Sequence, residues 1–197
     1  MQSLYYFIVK PLEERYDNTR RVAGTDLIIN SGIEDHRFIS KKAVVVQTPA
    51  AYTTKINIGD ELYIHHNIFR RWYDQKGKER NSSTHFKDDL YFVSPEQIYM
   101  YNLKTHLDYC FIKPLKNQSV LENRKEQPNV GIVKYSNKSL EALKITPGTL
   151  ITFTPNSEFE FIIEGERLYC MKSNDIALTH EYQGNEEENN PSWAKSN

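Results

Sequence analysis

An all-β chain built as two tandem small barrels is what this sequence predicts, and three observations carry the prediction. Short runs of apolar, aromatic and β-branched residues recur along its length, each bounded by Pro, Gly, Asn or Asp, the pattern of strands separated by turns. No stretch shows a convincing 3.6-residue apolar period. The same set of runs occurs twice in the same order, so each half is expected to close, or nearly close, its own barrel.

The paired runs justify the elements in turn. YYFIVKPL (residues 5–12) returns as DYCFIKPL (108–115), and VVVQTP (44–49) more loosely as GIVKYSN (131–137). INIGDELYI (56–64) returns as ITPGTLITF (145–153), and LYFVSPEQIYMY (90–101) as LYCMKSNDIALT (168–179). The turn signals KPL, GD or PG, and SPEQ or KSND lie between them. The offset between copies falls from 103 at Lys10/Lys113 to 89 at Gly59/Gly148 and 78 at Leu90/Leu168, so the first copy carries 14 extra residues before its glycine and 11 after. Strands cannot absorb such changes, which places the additions in loops at 13–42 and 65–88, where long connections are usually functional or disordered. The expected organisation is a first barrel with its loop at 1–104, a shorter second barrel at 105–182, and a disordered acidic tail at 183–197.

Composition narrows the function. The chain has 197 residues, 39% hydrophobic and 26% charged, with a formal net charge of −1, which is ordinary for a soluble protein and argues against bulk nucleic acid as a partner. The N-terminal apolar run has no basic lead and stops at Lys10, so neither a signal peptide nor a membrane span is read there and a cytoplasmic protein is expected. Cys110 and Cys170 are then expected to be free, partly buried thiols. No Gly-rich phosphate loop, paired-cysteine motif or nucleophile elbow is present, so no enzymatic activity, cofactor or metal is expected.

Within the first long loop, AGTDLIIN (23–30) sets Leu27, Ile28 and Ile29 between strongly polar flanks. One reading is a short strand packed on its own barrel. The other is a loop-borne hydrophobic anchor for a groove on another protein, with Gly24 and Gly32 as hinge points. Three anchors contribute roughly 1.5–3 kcal/mol each on burial, whereas ordering each loop residue costs roughly 1–2 kcal/mol. A single loop would therefore bind weakly, and a symmetric ring presenting several would bind well.

FIVKPLEERYDNTRRVAGTDLIIN, KKAVVVQTP, INIGDELYI and LYFVSPEQIYMY together resemble the co-chaperonin family of GroES type in strand order and spacing. The resemblance implies GroES-like barrels in a homo-oligomeric ring, seven-membered by the family's habit. It implies capping of a GroEL-type chaperonin in an ATP-dependent cycle that encloses a folding client protein. Its mobile loop would present Leu27, Ile28 and Ile29 after Gly24 to a groove on the chaperonin. The second copy has NQSVLENRKEQP (117–128) in place of that loop, so one chaperonin-binding loop per chain is expected. The short segments 50–55 and 138–143 stand where the family has a roof hairpin, a departure similar to that of co-chaperonins encoded by some bacteriophages.

Other constellations read differently. IFRRWYDQKGKER (68–80) interleaves Arg70, Arg71, Trp72, Tyr73, Lys76, Lys78 and Arg80, as a nucleic-acid stacking surface or as a solvated hairpin with its aromatics at a subunit contact. His65 and His66, adjacent on an expected strand, should point to opposite faces and not share a metal, with His85 the nearest further candidate. Trp193 is the expected anchor of the tail, if it has one. Two alternatives to the co-chaperonin remain: a structural component of a viral particle, and a nucleic-acid-binding barrel relying on Arg70, Arg71 and Trp72.

Overall fold

The computed structural model describes residues 2–16, 19–22, 25–28, 35–117, 126–181 and 186–196. The chain is all-β, with antiparallel open sheets and, among the described residues, one five-residue α-helix, and it divides into compact units at Met1–Leu103 and Lys104–Asn197.

The first unit contains β1 (Phe7–Pro11), β2 (Thr19–Val22), β3 (Thr25–Ile28), β4 (Lys42–Gln47), β5 (Glu61–Ile64), β6 (Arg71–Tyr73), β7 (Glu79–Asn81), β8 (His85–Lys87), β9 (Leu90–Val93) and β10 (Ile98–Tyr101). Its main sheet runs in hydrogen-bonded order β10-β5-β4-β1-β9-β8, while β2-β3 and β6-β7 are separate two-stranded hairpins. Alternate residues point inward, as the period of two requires. Phe7, Val9, Val45, Leu62, Ile64, Tyr91 and Val93 therefore meet Ile68 and Phe69 in one buried core.

The second unit holds β11 (Lys104–Thr105), β12 (Tyr109–Lys116), β13 (Glu126–Tyr135), α1 (Lys138–Ala142), β14 (Leu150–Phe153), β15 (Phe159–Ile163), β16 (Glu166–Lys172) and β17 (Ile176–His180). Its sheet runs β15-β16-β12-β13-β14-β17, the same order as in the first unit when read from the other end. The registers agree as well. Val9 faces Val45 and Tyr91, as Ile112 faces Val133 and Tyr169. Ile98 faces Ile64, as Ile176 faces Phe153.

The shared turns show why. Gly59 (φ +91°) donates to Val45 O at 2.8 Å, and Gly148 (φ +94°) donates to Val133 O at 2.8 Å. Left-handed backbone of this kind is open to glycine without a Cβ penalty. Asp60 is a turn residue, accepting from Asn57 N at 2.8 Å and from Asn102 Nδ2 at 2.8 Å.

Several expectations need correction. KSLEA is helical, because Asn137 caps it by accepting from Leu140 N while Leu140 anchors it in the core. The acidic tail is not uniformly disordered: residues 186–196 dock on the second unit. Lys116 N donates to Glu187 O and Asn189 N to Pro114 O, both at 2.8 Å, and the Lys113 and Lys116 ammonium groups pair with Glu188 and Glu187 at 2.9 Å. The tail's acids thus meet lysines on a sheet edge, which composition alone does not disclose. Its buried residue is Ala194, while Trp193 is 47% exposed.

Cys110 and Cys170 are free and fully buried rather than partly so. Burial pushes the Cys110 thiol up to about 12 and Cys170 well above its ordinary value. Thiolate is the reactive form, so an aromatic disulfide reagent near pH 8 is expected to label neither cysteine in the native protein and both in denaturant. Rapid native labelling would contradict this packing.

Candidate functional site

The first long insertion leaves the core through a clamped base. Tyr16 and Ile39, both buried, form an antiparallel bridge, and Ser40 N donates to Arg15 O at 2.9 Å. Tyr16 Oη accepts from Arg71 N at 2.8 Å, and the Arg71 guanidinium lies 4.6 Å from the Tyr16 ring centre. Arg15 donates through Nη2 to Phe69 O and to Asn81 Oδ1, each at 3.0 Å, and sits 5.2 Å over the Tyr91 ring. Both ends of the insertion are thereby tied to each other and to the chain that begins the second insertion.

Beyond that base stands the β2-β3 hairpin. Thr19 pairs with Ile28, Arg20 with Leu27, Arg21 with Asp26 and Val22 with Thr25. Leu27 and Ile28 are thus on a strand, but that strand belongs to its own two-stranded ribbon and not to the main sheet. Gly24 and Ile29 lie outside the described residues, as does Gly32. Neither reading foresaw the ribbon, since one placed a strand on the barrel and the other a loop, because its strands are short and polar, without the apolar alternation that marks a packed strand. A two-stranded ribbon alone is at most marginally stable in water, so partner contact would strengthen it.

The return strand of the insertion re-enters through a 3-10 turn, His36–Phe38, capped by Asp35, whose Oδ1 accepts from Arg37 N at 3.1 Å. The Arg37 side chain holds the Asp35 carboxyl down to about 2. His36 lies 5.6 Å from His66, which stacks on His65 at 4.4 Å, ring centre to ring centre. The two adjacent histidines thus share one side, contrary to the strand expectation, because β5 ends at Ile64 and His65 caps a 3-10 turn by accepting from Asn67 N. His85 is elsewhere, its Nε2 2.8 Å from Asp88 O. Among the described residues, no group of three or more His, Cys, Asp or Glu has the arrangement to hold a metal.

Burial lowers His65 and, reinforced by the nearby charges of His65, His36, Lys41 and Arg70, brings His66 down to about 4. An unfolded histidine titrates near 6.5, so between about pH 6.5 and 4 the unfolded chain binds more protons and stability falls as pH falls. Thermal melts should show this loss across that window. His66→Asn should flatten it, and an unchanged pH slope would refute the assignment.

The second insertion carries the β6-β7 hairpin. Two of its cations are paired within it, Arg71 with Glu79 at 3.1 Å and Arg80 with Asp74 at 2.9 Å, while Trp72 and Tyr73 are exposed. This intrahairpin pairing reduces the positive field available to a phosphate backbone. No helix of the described residues is long and apolar enough to cross a membrane. Neither a protein-family model nor a curated protein sequence matches the chain.

Proposed function

We propose that this chain is a co-chaperonin of GroES type, made of two GroES-like barrels, that caps a GroEL-type chaperonin and encloses a client protein during an ATP-dependent cycle. The observation that carries the reading is the separate ribbon bearing Leu27 and Ile28, raised from a clamped base and excluded from the sheet that holds the core. A strand needed for the unit's own packing would join that sheet. The matched order and register of the two units support a doubled framework; residues 118–125, most of the segment that stands for the loop in the second copy, lie outside the described residues.

In this reading Leu27, Ile28 and Ile29, preceded by Gly24, dock when the chaperonin's nucleotide state exposes its groove, and leave when that state changes. The clamp lowers the entropy lost on docking, since both ends of the insertion are already held. A homo-oligomeric ring, seven-membered in the family's pattern, multiplies weak single-loop contacts through effective concentration. The test is nucleotide-dependent co-elution with a GroEL-type chaperonin, comparing the natural chain with Ile28→Asp.

A further inference from the structure

The two units use one sheet edge differently. In the second unit, β16 accompanies β12 only as far as Ile112, opposite Tyr169, and the C-terminal arm then takes over the vacated edge. Asn189 N donates to Pro114 O, Lys116 N donates to Glu187 O, and Glu188 forms a bridge with Leu115. In the first unit, β9 likewise accompanies β1 only as far as Val9, opposite Tyr91. The positions that follow, Lys10, Pro11 and Leu12, repeat Lys113, Pro114 and Leu115. Leu12 N donates to Lys42 O on the β4 side. Backbone groups alternate sides along a strand, so Pro11 C=O faces away from β4. On this part of the first unit lies a cavity of about 440 Å³ whose lining includes Lys10, Pro11, Glu13, Arg15, Arg71 and Asp89.

The charges around the two edges differ in a readable way. Lys10 keeps the sign of Lys113, which binds Glu188 in the arm. Glu13 stands where Lys116 binds Glu187, and Asp89 stands where Arg167 N meets Asn190 Oδ1. At these two positions the doubly acidic sequence of the arm would lose one of its two ion pairs, whereas a basic residue beside Glu13 followed directly by an acidic one beside Lys10 would keep both.

We propose that the open β1 edge at Lys10–Glu13 receives an extended segment of a partner protein carrying such a basic–acidic pair. The segment adds antiparallel to β1 as the arm adds to β12, donating a backbone N–H to Pro11 O, with its basic residue beside Glu13 and its acidic residue beside Lys10. This site adjoins Arg15 and Arg71 at the base of the insertion that carries Leu27 and Ile28, and it uses neither of those two residues.

Fluorescein-labelled peptides of residues 184–193 test the proposal by anisotropy on the full chain. The peptide carrying Glu187→Lys is expected to bind at least about tenfold more tightly than the unaltered peptide. The preference should reverse on the Glu13→Lys protein, and N-methylation of the Asn189 amide should abolish binding. No measurable binding of the Glu187→Lys peptide, or binding indifferent to both the charge swap and the N-methyl group, overturns the proposal. Concentration-dependent self-association lost in Glu13→Lys, with neither peptide binding, also overturns it by making a second copy the occupant.

Discussion

Ile28→Asp is expected to abolish ATP-dependent co-elution with a GroEL-type chaperonin while leaving the thermal melt of the chain unchanged. Burial of an isoleucine contributes roughly 1.5–3 kcal/mol at a contact, and bringing an unpaired carboxylate into an apolar groove costs several kcal/mol more. Each loop should thus lose at least about 3 kcal/mol, more than 100-fold in affinity, and a ring loses this at every subunit. The fold should tolerate the change because, among the described residues, β3 pairs with β2 and with no strand of the main sheet. Equal binding by both proteins would refute the anchor. Failure of both to bind under any nucleotide condition, with the chaperonin of the same cellular setting, would refute the co-chaperonin reading and favour a structural component of a particle.

Gly131→Ala is expected to destabilise the second unit by roughly 1–3 kcal/mol, the usual range for forcing extra volume into a packed interior. A Cβ there would stand 2.5 Å from Ile112 Cγ2 and 2.6 Å from Lys113 O. The side-chain methyl could rotate, but the carbonyl belongs to the backbone of β12 and can retreat only by distorting the pairing of Pro114 with Gly131. The corresponding position of the first unit is Ala43, fully buried and opposite Pro11. The same register accepts a methyl in one unit and excludes it in the other. Chemical denaturation checks this, and a midpoint equal to that of the natural chain would show that the strands separate without cost.

Much of the framework was legible because a strand's period of two and its turn residues are local properties. LYFV and LYCM each announced a strand, SPEQ and KSND each announced the turn after it, and repetition showed that the same elements recur. Gly59 and Gly148 marked turns because backbone with positive φ favours glycine wherever it occurs. The proposed co-chaperonin role and its proposed anchor residues rest on residue order, by resemblance.

Other features depended on partners distant in sequence. His65 and His66 read as opposite faces of a strand, and became stacked neighbours because the strand ends at Ile64, before either of them. The tail read as disordered because its acids are solvated when considered alone. Lys113 and Lys116, more than 70 residues away, give residues 187–188 an edge to lie on. Arg71 read as part of a stacking surface or a solvated hairpin, yet it lies over Tyr16, and with Arg15 over Tyr91 it clamps the base of the insertion. The sequence by itself determined the framework strands that the two units share, where they turn, that the set occurs twice, and which apolar tripeptide stands between polar flanks. Only the tertiary structure decided which edge is covered, which charges are paired and where the insertion bearing the β2-β3 hairpin is tied, because those are long-range pairings that no local period encodes.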